Sequence, residues 1–161
     1  MAAQITVKRV RNGFRLESEL WLPRPRAEVF PFFANAFNLQ TLTPPFLNFR
    51  VVTPSPIEMR VGLRIDYRLR LHGLPLRWQS EITVWEPPHR FVDEQRRGPY
   101  RRWVHEHRFE GRQDGTQVSD SVHYAVYGGR LIERLFVRHD VQNIFAYRHQ
   151  RLLEIFASPA P

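Results

Sequence analysis

Residues 101–127 read RRWVHEHRFEGRQDGTQVSDSVHYAVY and contain two stretches in which apolar and polar residues alternate. Alternation with a period of two is typical of strands that bury one face. Asp114-Gly115 lies between the two stretches, and this dipeptide favours a tight chain reversal. The segment therefore predicts an antiparallel pair of strands, residues 101–110 and 116–127, whose aromatic side faces the protein interior.

Further alternating or apolar stretches predict additional strands. They cover residues 14–22, 47–52, 62–71, 76–85 and 90–96. The pattern is clearest in residues 62–71, where leucine, isoleucine and tyrosine alternate with arginine and aspartate. Such strands bury one face and expose the other to water. The sequence therefore predicts an antiparallel sheet with one wet face.

Helices are predicted on either side of most of these strands. Pro25 suits the first turn of a short helix, and a second short helix passes through Leu39 and ends before Pro44. Residues 130–156 contain neither glycine nor proline, and their apolar residues recur at spacings of three and four, which predicts one long amphipathic helix. Its apolar face comprises Leu131, Ile132, Leu135, Phe136, Val141, Ile144, Phe145, Leu152, Leu153 and Phe156. This order predicts an α+β domain with helices on one face of the sheet.

The composition fits one domain of ordinary size. Hydrophobic residues make up 42% and aromatic residues 13% of the 161 residues, enough for one packed core. We therefore expect residues 1–161 to form a single domain. The absence of cysteine excludes disulfides, thiolate metal sites and cysteine nucleophiles. Because no apolar run approaches the roughly 18 residues of a membrane span, we expect a soluble, cytoplasmic protein without integral membrane association.

The net charge of +8 comes almost entirely from arginine, since Lys8 is the only lysine. Clustered cations would indicate a nucleic-acid surface. Here the arginines are spread along the chain, and the longest clusters are the pairs at residues 96–97 and 101–102. No block of five or six like charges occurs, so we do not expect a nucleic-acid partner. The arginines are better explained as the wet face of the sheet.

One segment resembles a known group of proteins. Residues 91–110 read FVDEQRRGPYRRWVHEHRFE, and they are followed by Gly115-Thr116, Asp120 and Tyr124. This pattern resembles the SRPBCC ligand-binding superfamily, which includes START lipid-transfer domains, birch-pollen-allergen-like proteins and polyketide cyclase/dehydrase-like proteins. The resemblance covers about residues 14–156. It implies the helix-grip fold: a curved antiparallel β-sheet wrapped around a long C-terminal α-helix, two short helices after the first strand, and a deep cavity between sheet and helix.

Strand parity assigns polar residues to the inner face of this sheet. In three neighbouring strands, polar residues share a face with Phe91, Trp103 and Tyr124, whose rings belong in the interior. Other aromatic residues on neighbouring strands would contact the same space. The candidate ligand-binding residues are Tyr67, Trp78, Asp93, Gln95, Trp103, His105, His107, Asp120 and Tyr124.

The buried polar residues have two explanations. They can satisfy one another, with Asp120 holding His105 or His107 and Asp93 bonding a turn near Gly98, because unpaired buried polar groups are costly. Alternatively, some of them point into the cavity and orient a ligand. Polar residues of the long helix are expected at its wet edge or in contacts between the helix and the sheet, and the cavity wall is the alternative position. These are His139, Asn143, Arg148 and His149.

Three functions remain open at this point. We favour a protein without cofactor or metal, monomeric or homodimeric, that binds a hydrophobic or aromatic small molecule such as a lipid, quinone or polyketide and carries it unchanged. In the second, His105 or His107, oriented by Asp120, is the general base of a cyclase or dehydratase. The third is an interaction module that uses the arginine-rich outer face. A His-x-His pair with a carboxylate such as Asp120 also has the composition of a metal site, but this spacing is weak evidence and we expect no metal.

Overall fold

The computed structural model describes residues 4–157 and contains one sheet of eight antiparallel strands. The strands are β1 Gln4–Val10, β2 Gly13–Leu22, β3 Arg50–Val51, β4 Arg64–Leu71, β5 Leu74–Glu86, β6 Arg90–Arg97, β7 Arg102–Arg112 and β8 Gly115–Ala125. They lie in the order β1-β2-β8-β7-β6-β5-β4-β3. The ends of the predicted domain, residues 1–3 and 158–161, lie outside the described residues.

The helical segments complete the predicted helix-grip fold. They are α1 Arg26–Phe33, α2 Asn38–Thr41, a 3-10 turn Pro45–Leu47, α3 Gly129–Ile132, a π-helical turn Glu133–Val137 and α4 Arg138–Ala157. α4 packs against β1 and β2, and α1 packs against β7 and β8. The prediction of an α+β fold, with a curved antiparallel sheet, a long C-terminal helix and short helices, is confirmed.

The two faces of β7 and β8 carry the residues that their alternation predicts. His107 lies opposite Asp120, and Phe109 lies opposite Val118, in the antiparallel register. All four side chains are buried, whereas Arg108 on the other face of β7 is exposed. The inner face of the sheet therefore combines apolar residues with buried charged groups.

The edge strand β1 is not among the strands predicted from the sequence. Ile5 and Val7 are half-buried against the apolar cluster around Phe14, and β1 pairs along its length with β2. The connecting turn contains Asn12 at φ 63° and Gly13 at φ 152°, and Asn-Gly is itself a signal for a tight hairpin. The two short helices therefore follow the second strand of the sheet instead of the first.

The predicted strand at residues 47–52 is also wrong for most of its length. Residues Pro45–Leu47 form a 3-10 turn, and Asn48 has φ 44°, a left-handed conformation that no extended strand contains. Only Arg50–Val51 pair with β4. The chain therefore crosses the end of the sheet as a turn and leaves β3 as a two-residue edge strand.

The long helix is present, but its first part differs from the prediction. Glu133 begins a π-helical turn and is completely buried. A π-helical turn inserts an extra residue and so rotates the helix face relative to a regular α-helix. Leu131, Leu135 and Phe136, predicted on the buried face, are more than half exposed. Within residues 4–157 no helix is both long and apolar enough to cross a membrane.

Two apolar clusters fix α4 against the sheet. One contains Phe109 and Leu152, near the end of α4. The other contains Leu16 and Val141, near its beginning. Burying each such side chain contributes about 1.5–3 kcal/mol. With both parts of α4 anchored, a space remains between its middle and strands β4 to β7.

Candidate functional site

This space is a cavity of about 190 Å³. The apolar part of its wall includes Leu39, Leu42, Leu47, Ile65, Leu69, Leu71, Ile82, Val141 and Ile144. The aromatic part includes Phe33, Phe49, Tyr67, Trp78, Phe91, Tyr100, Trp103 and Phe145. The polar side chains at the wall include Asn35, Asn38, Thr43, Ser80, Asp93, His105, His107 and Arg148. A mainly apolar wall with a few grouped polar side chains is the usual composition of a small-molecule site.

The structure brings most of the candidate residues to this wall. Those that line the cavity are Tyr67, Trp78, Asp93, Trp103, His105 and His107. Gln95, Asp120 and Tyr124 do not line it, because each is engaged in a contact behind the wall. Contact of the lining residues with a ligand remains a prediction.

Gln95 shapes the turn between β6 and β7. Its Nε2 donates to the carbonyl oxygen of Tyr100 at 2.7 Å, and its Oε1 accepts from the Tyr100 backbone N–H at 3.2 Å. A Cβ atom at Gly98 would lie 2.3 Å from the same Oε1, so any other residue there would displace the Gln95 amide from this position. The Gln95 amide therefore fixes the backbone of Tyr100, whose ring lines the cavity.

Tyr124 belongs to a buried network under the start of the long helix. Its hydroxyl donates to Oε1 of Glu133 at 2.8 Å, and Arg138 donates to both carboxylate oxygens at 3.0 Å. Burial, followed by the adjacent carboxylate, raises the pKa of Tyr124, so the hydroxyl remains protonated. This network explains why a charged residue occupies a fully buried position in the π-helical turn.

We expect Tyr124→Phe to lower the free energy of unfolding by about 1–3 kcal/mol, because a buried charged acceptor loses one of its donors. Urea denaturation provides the measurement. Tyr127→Phe is the matched control, since Tyr127 is 68% exposed and should change stability by less than about 0.5 kcal/mol. Equal effects of the two substitutions would contradict the assigned role of the Tyr124 hydroxyl.

The central polar cluster links two histidines to two carboxylates. His105 Nε2 hydrogen-bonds to Asp120 Oδ1 at 2.8 Å, and His107 Nδ1 lies 3.1 Å from the same oxygen. On the other side, His107 Nε2 hydrogen-bonds to Asp93 Oδ2 at 2.9 Å, while His105 Nδ1 lies 3.9 Å from that oxygen. The Asp120 side chain is only 2% exposed, against 20% for Asp93. Asp93 therefore reaches the cavity, and Asp120 lies behind the imidazoles.

The environment shifts the pKa values of the two imidazoles in opposite directions. Burial lowers the pKa of His105, and the charge of His107 lowers it further. Burial also opposes ionisation of His107, but contacts with Asp120 and Asp93 outweigh it and raise the pKa of His107. Burial opposes ionisation of the carboxylates, yet Arg148 and the imidazoles hold the pKa of Asp120 well below its usual range, and His107 lowers that of Asp93. The pKa values of the two neighbouring imidazoles are thus shifted in opposite directions, and His107 is the one that retains its proton more strongly.

Of the positions expected for Arg148 and His149, the structure shows the contact between helix and sheet: both side chains are buried, and Arg148 also lines the cavity. Arg148 Nη2 lies 3.5 Å from His107 Nδ1 and 3.9 Å from Asp120 Oδ1, and its guanidinium lies 5.2 Å from the ring centroid of Phe33. His149 Nε2 lies 2.5 Å from Ser18 Oγ. The helical period could have predicted that Arg148 lies on the buried face, since position 148 lies three residues after a buried phenylalanine and four before a buried leucine.

The charged groups of the cluster are paired. The carboxylates Asp93 and Asp120 contact His107, and Asp120 also lies near Arg148, which is the pairing that buried charges require. The predicted mutual satisfaction is therefore present in part. Asp120 contacts both imidazoles, but Asp93 bonds His107 instead of a turn near Gly98.

Aromatic rings form the wall beside the cluster. Trp103 packs at 5.4 Å from Trp78 and 4.7 Å from Tyr100, measured between ring centroids. Phe91 stacks on His107 at 4.2 Å. Burial raises the pKa of Tyr100, so its hydroxyl stays neutral. The cavity therefore offers aromatic surfaces next to a compact charged group.

Asp93, His105 and His107 are also the side chains at this wall with the composition of a metal site. One potential ligand atom from each lies within 4.8 Å of the other two. The sequence analysis considered Asp120 as the third ligand of such a site. The structure instead places Asp93 on the cavity side and Asp120 behind both imidazoles.

Solved structures share this architecture. Protein Ms6760 from Mycobacterium smegmatis has a TM-score of 0.69 at 18% identity, with 96% of this chain and 98% of that chain covered. Protein CV1439 from Chromobacterium violaceum has a TM-score of 0.72 at 12% identity, covering 93% and 100%. Ara h 8.0201 has a TM-score of 0.63 at 15% identity, covering 87% and 97%. At these identities the similarity establishes the helix-grip fold alone.

The sequence itself identifies the family. A model of the polyketide cyclase/dehydrase and lipid transport family matches residues 22–142, so the chain belongs to that family. The resemblance to the SRPBCC superfamily is thereby confirmed. Among curated proteins, none matches this sequence. The match includes strands β3 to β8 and the polar residues that they place at the cavity, but it ends before Arg148.

Proposed function

We propose that this protein binds a small apolar molecule with an aromatic body in the cavity and carries or sequesters it unchanged. The observation that supports the proposal is the grouping of aromatic and aliphatic side chains around one cavity with one charged cluster at its wall. Membership of a family named for polyketide cyclases and lipid transport agrees with such a ligand. A lipid, a quinone and a polyketide are the chemical classes we consider.

The size of the cavity limits the size of the ligand that can bind in it. A cavity of about 150 Å³ lined by apolar side chains can hold benzene, whereas typical ligand pockets measure about 300–1,000 Å³. At about 190 Å³, the space accommodates one or two rings, or one part of a longer molecule. We therefore expect compact aromatic ligands to bind this conformation better than long acyl chains.

The charged cluster would orient the ligand. A hydroxyl group on the ligand can donate to Asp93, the carboxylate at the wall that is partly accessible. The ring system would then lie against Trp78 and Trp103. A polar group at one end and an apolar body is the combination that such a wall selects.

Calorimetry with 2-naphthol, a two-ring compound with one hydroxyl group, tests the proposal. We expect saturable binding of one equivalent with a negative heat-capacity change, the signature of apolar burial. Naphthalene should bind more weakly, because it leaves Asp93 without a partner from the ligand. Absence of saturable heat with both compounds would contradict the proposal.

A second candidate function is that of a cyclase or dehydratase. It is favoured by one observation: His105 lines the cavity while Asp120 holds its Nε2, the arrangement of a general base with its orienting carboxylate. In such an enzyme His107 would stabilise the negative charges of Asp93 and Asp120, which it contacts. If this holds, the protein should accelerate deuterium exchange at the acidic carbon of 2-tetralone in D₂O, and His105→Gln should remove the acceleration. An exchange rate equal to that without protein would exclude this activity for that ketone.

The proposal also includes the setting in which the protein works. We propose a single cytoplasmic domain, monomeric or homodimeric, with a small molecule and no nucleic acid as its partner. The dispersed arginines, many of them on the outer face of the sheet, support the last point.

A further inference from the structure

The cavity wall contains a group of side chains whose atoms could bind a metal ion, in addition to those that would contact an organic molecule. His105 Nδ1 and His107 Nε2 are the imidazole nitrogens that lie towards Asp93 Oδ2, at 3.9 and 2.9 Å. Two imidazoles and one carboxylate are donors that suit divalent transition metals such as Zn²⁺, Co²⁺ and Fe²⁺. All three side chains lie at the cavity wall.

Asp120 prepares both imidazoles for this role. His105 Nε2 and His107 Nδ1, the nitrogens on the far side from Asp93, lie 2.8 and 3.1 Å from Asp120 Oδ1. Metal-binding histidines usually direct their second nitrogen to a carboxylate, which fixes the tautomer and the ring orientation. With protons on these two nitrogens, the lone pairs of His105 and His107 are on the side of Asp93.

We propose that Asp93, His105 and His107 bind one divalent transition-metal ion at the cavity wall, with Asp120 as the carboxylate that orients both histidines. This revises the expectation of a metal-free cavity. The spacing of His105 and His107 in the sequence identified neither a third ligand nor a group that orients the imidazoles. The structure places Asp93 on the cavity side of the two histidines, as the third ligand, and Asp120 behind them.

The distances allow such a site with small movements. Ligand atoms around a tetrahedral ion lie roughly 3.4 Å apart when the bonds measure about 2.0–2.1 Å. The two distances from Asp93 Oδ2, 3.9 and 2.9 Å, lie on either side of that value. A side-chain rotation that moves the partly exposed Asp93 carboxylate oxygen by roughly half an ångström would make its distances to the two imidazole nitrogens equal.

The charges also allow it. The cluster has two carboxylates, and Arg148 balances one of them. A divalent ion bound to Asp93, His105 and His107 would add two positive charges beside the remaining carboxylate charge, which leaves one excess positive charge. An anionic oxygen, from hydroxide or from a carboxylate or phenolate ligand, would neutralise that charge.

Three protein ligands leave at least one coordination position open. Because the ligands belong to the cavity wall, this position would face the space in which we propose an organic molecule binds. The metal would thus give that molecule an oxygen-binding point. The two proposals remain separable, since metal binding can be measured without an organic ligand and 2-naphthol binding can be measured in a chelator.

Titration of the untagged, metal-stripped full chain with Co²⁺ provides the test. We expect one equivalent to bind with the strong visible absorption of four- or five-coordinate Co²⁺, and Zn²⁺ to displace it. The weak absorption of six-coordinate Co²⁺ in water, unchanged by the protein, would overturn the proposal.

Asp93→Asn separates this site from binding elsewhere on the surface. We expect it to weaken Co²⁺ binding more than tenfold while both histidines remain. Glu94→Gln is the matched control, because Glu94 is the next residue on β6 and alternation places it on the opposite face. It should bind Co²⁺ as the wild type does. Equal affinity in the two variants would show that Asp93 is not a ligand and would overturn the assignment.

Discussion

Ala36→Phe should weaken the binding of 2-naphthol more than 30-fold, which corresponds to a loss of about 2 kcal/mol. Ala36 is buried at the cavity wall, where it packs with Ile65 and Tyr67. The substitution adds one aromatic ring to a space of about 190 Å³. Because a cavity of about 150 Å³ can hold benzene, a ring added at position 36 would occupy much of this space and leave too little room for the two rings of 2-naphthol.

The free energy of unfolding of Ala36→Phe also tests whether the cavity exists. Adding a large side chain to a fully packed core costs typically about 1–3 kcal/mol. If the ring enters an existing cavity, the free energy of unfolding should fall by less than about 1 kcal/mol. Ala146→Phe, the same substitution on the exposed face of α4, should leave binding unchanged. Loss of stability together with unchanged binding in Ala36→Phe would contradict the position of the cavity.

Asp120→Ala should lower the free energy of unfolding by about 3–5 kcal/mol, the largest stability effect that we expect in this chain. Removing one member of a buried charged cluster leaves its partners without compensation, and the desolvation cost then falls on them. Here the partners are His107 and Arg148, both buried. His105 also loses the acceptor of its Nε2.

Urea denaturation in the presence of a chelator measures this effect without any contribution from bound metal. Ser121→Ala is the matched control, because Ser121 is the next residue along β8 and lies on the other face of the sheet. It should change stability by less than about 0.5 kcal/mol. A loss below about 1 kcal/mol for Asp120→Ala would mean that the cluster does not stabilise the fold.

Most of the sheet could be predicted because strands such as β4, β7 and β8 alternate with a period of two. In β7 and β8 the alternation places His107 and Asp120 on the same face, and the register places them directly opposite each other. The sequence could not predict which carboxylate, Asp93 or Asp120, faces the cavity and which lies behind the imidazoles. That difference depends on how deeply each side chain is buried, and alternation along a strand gives only the face on which a residue lies.

The long helix shows where the helical period is insufficient. Leu131, Leu135 and Phe136 have the spacing of a buried face, but the buried carboxylate of Glu133 and the π-helical turn expose them. A carboxylate enters the core there because Tyr124 and Arg138 satisfy it. Those partners become neighbours only in the folded chain. Hydrophobic spacing alone therefore assigned the wrong face to this part of the helix.

The central claim is that the space between the sheet and α4 receives an aromatic ligand. Nuclear Overhauser effects between 2-naphthol and the methyl groups of the protein test it most directly. We expect contacts from the naphthol protons to the methyl groups of Leu39, Ile65 and Val141, which line the cavity. Contacts confined to Leu131 and Leu135, on the exposed apolar surface, would contradict the claim.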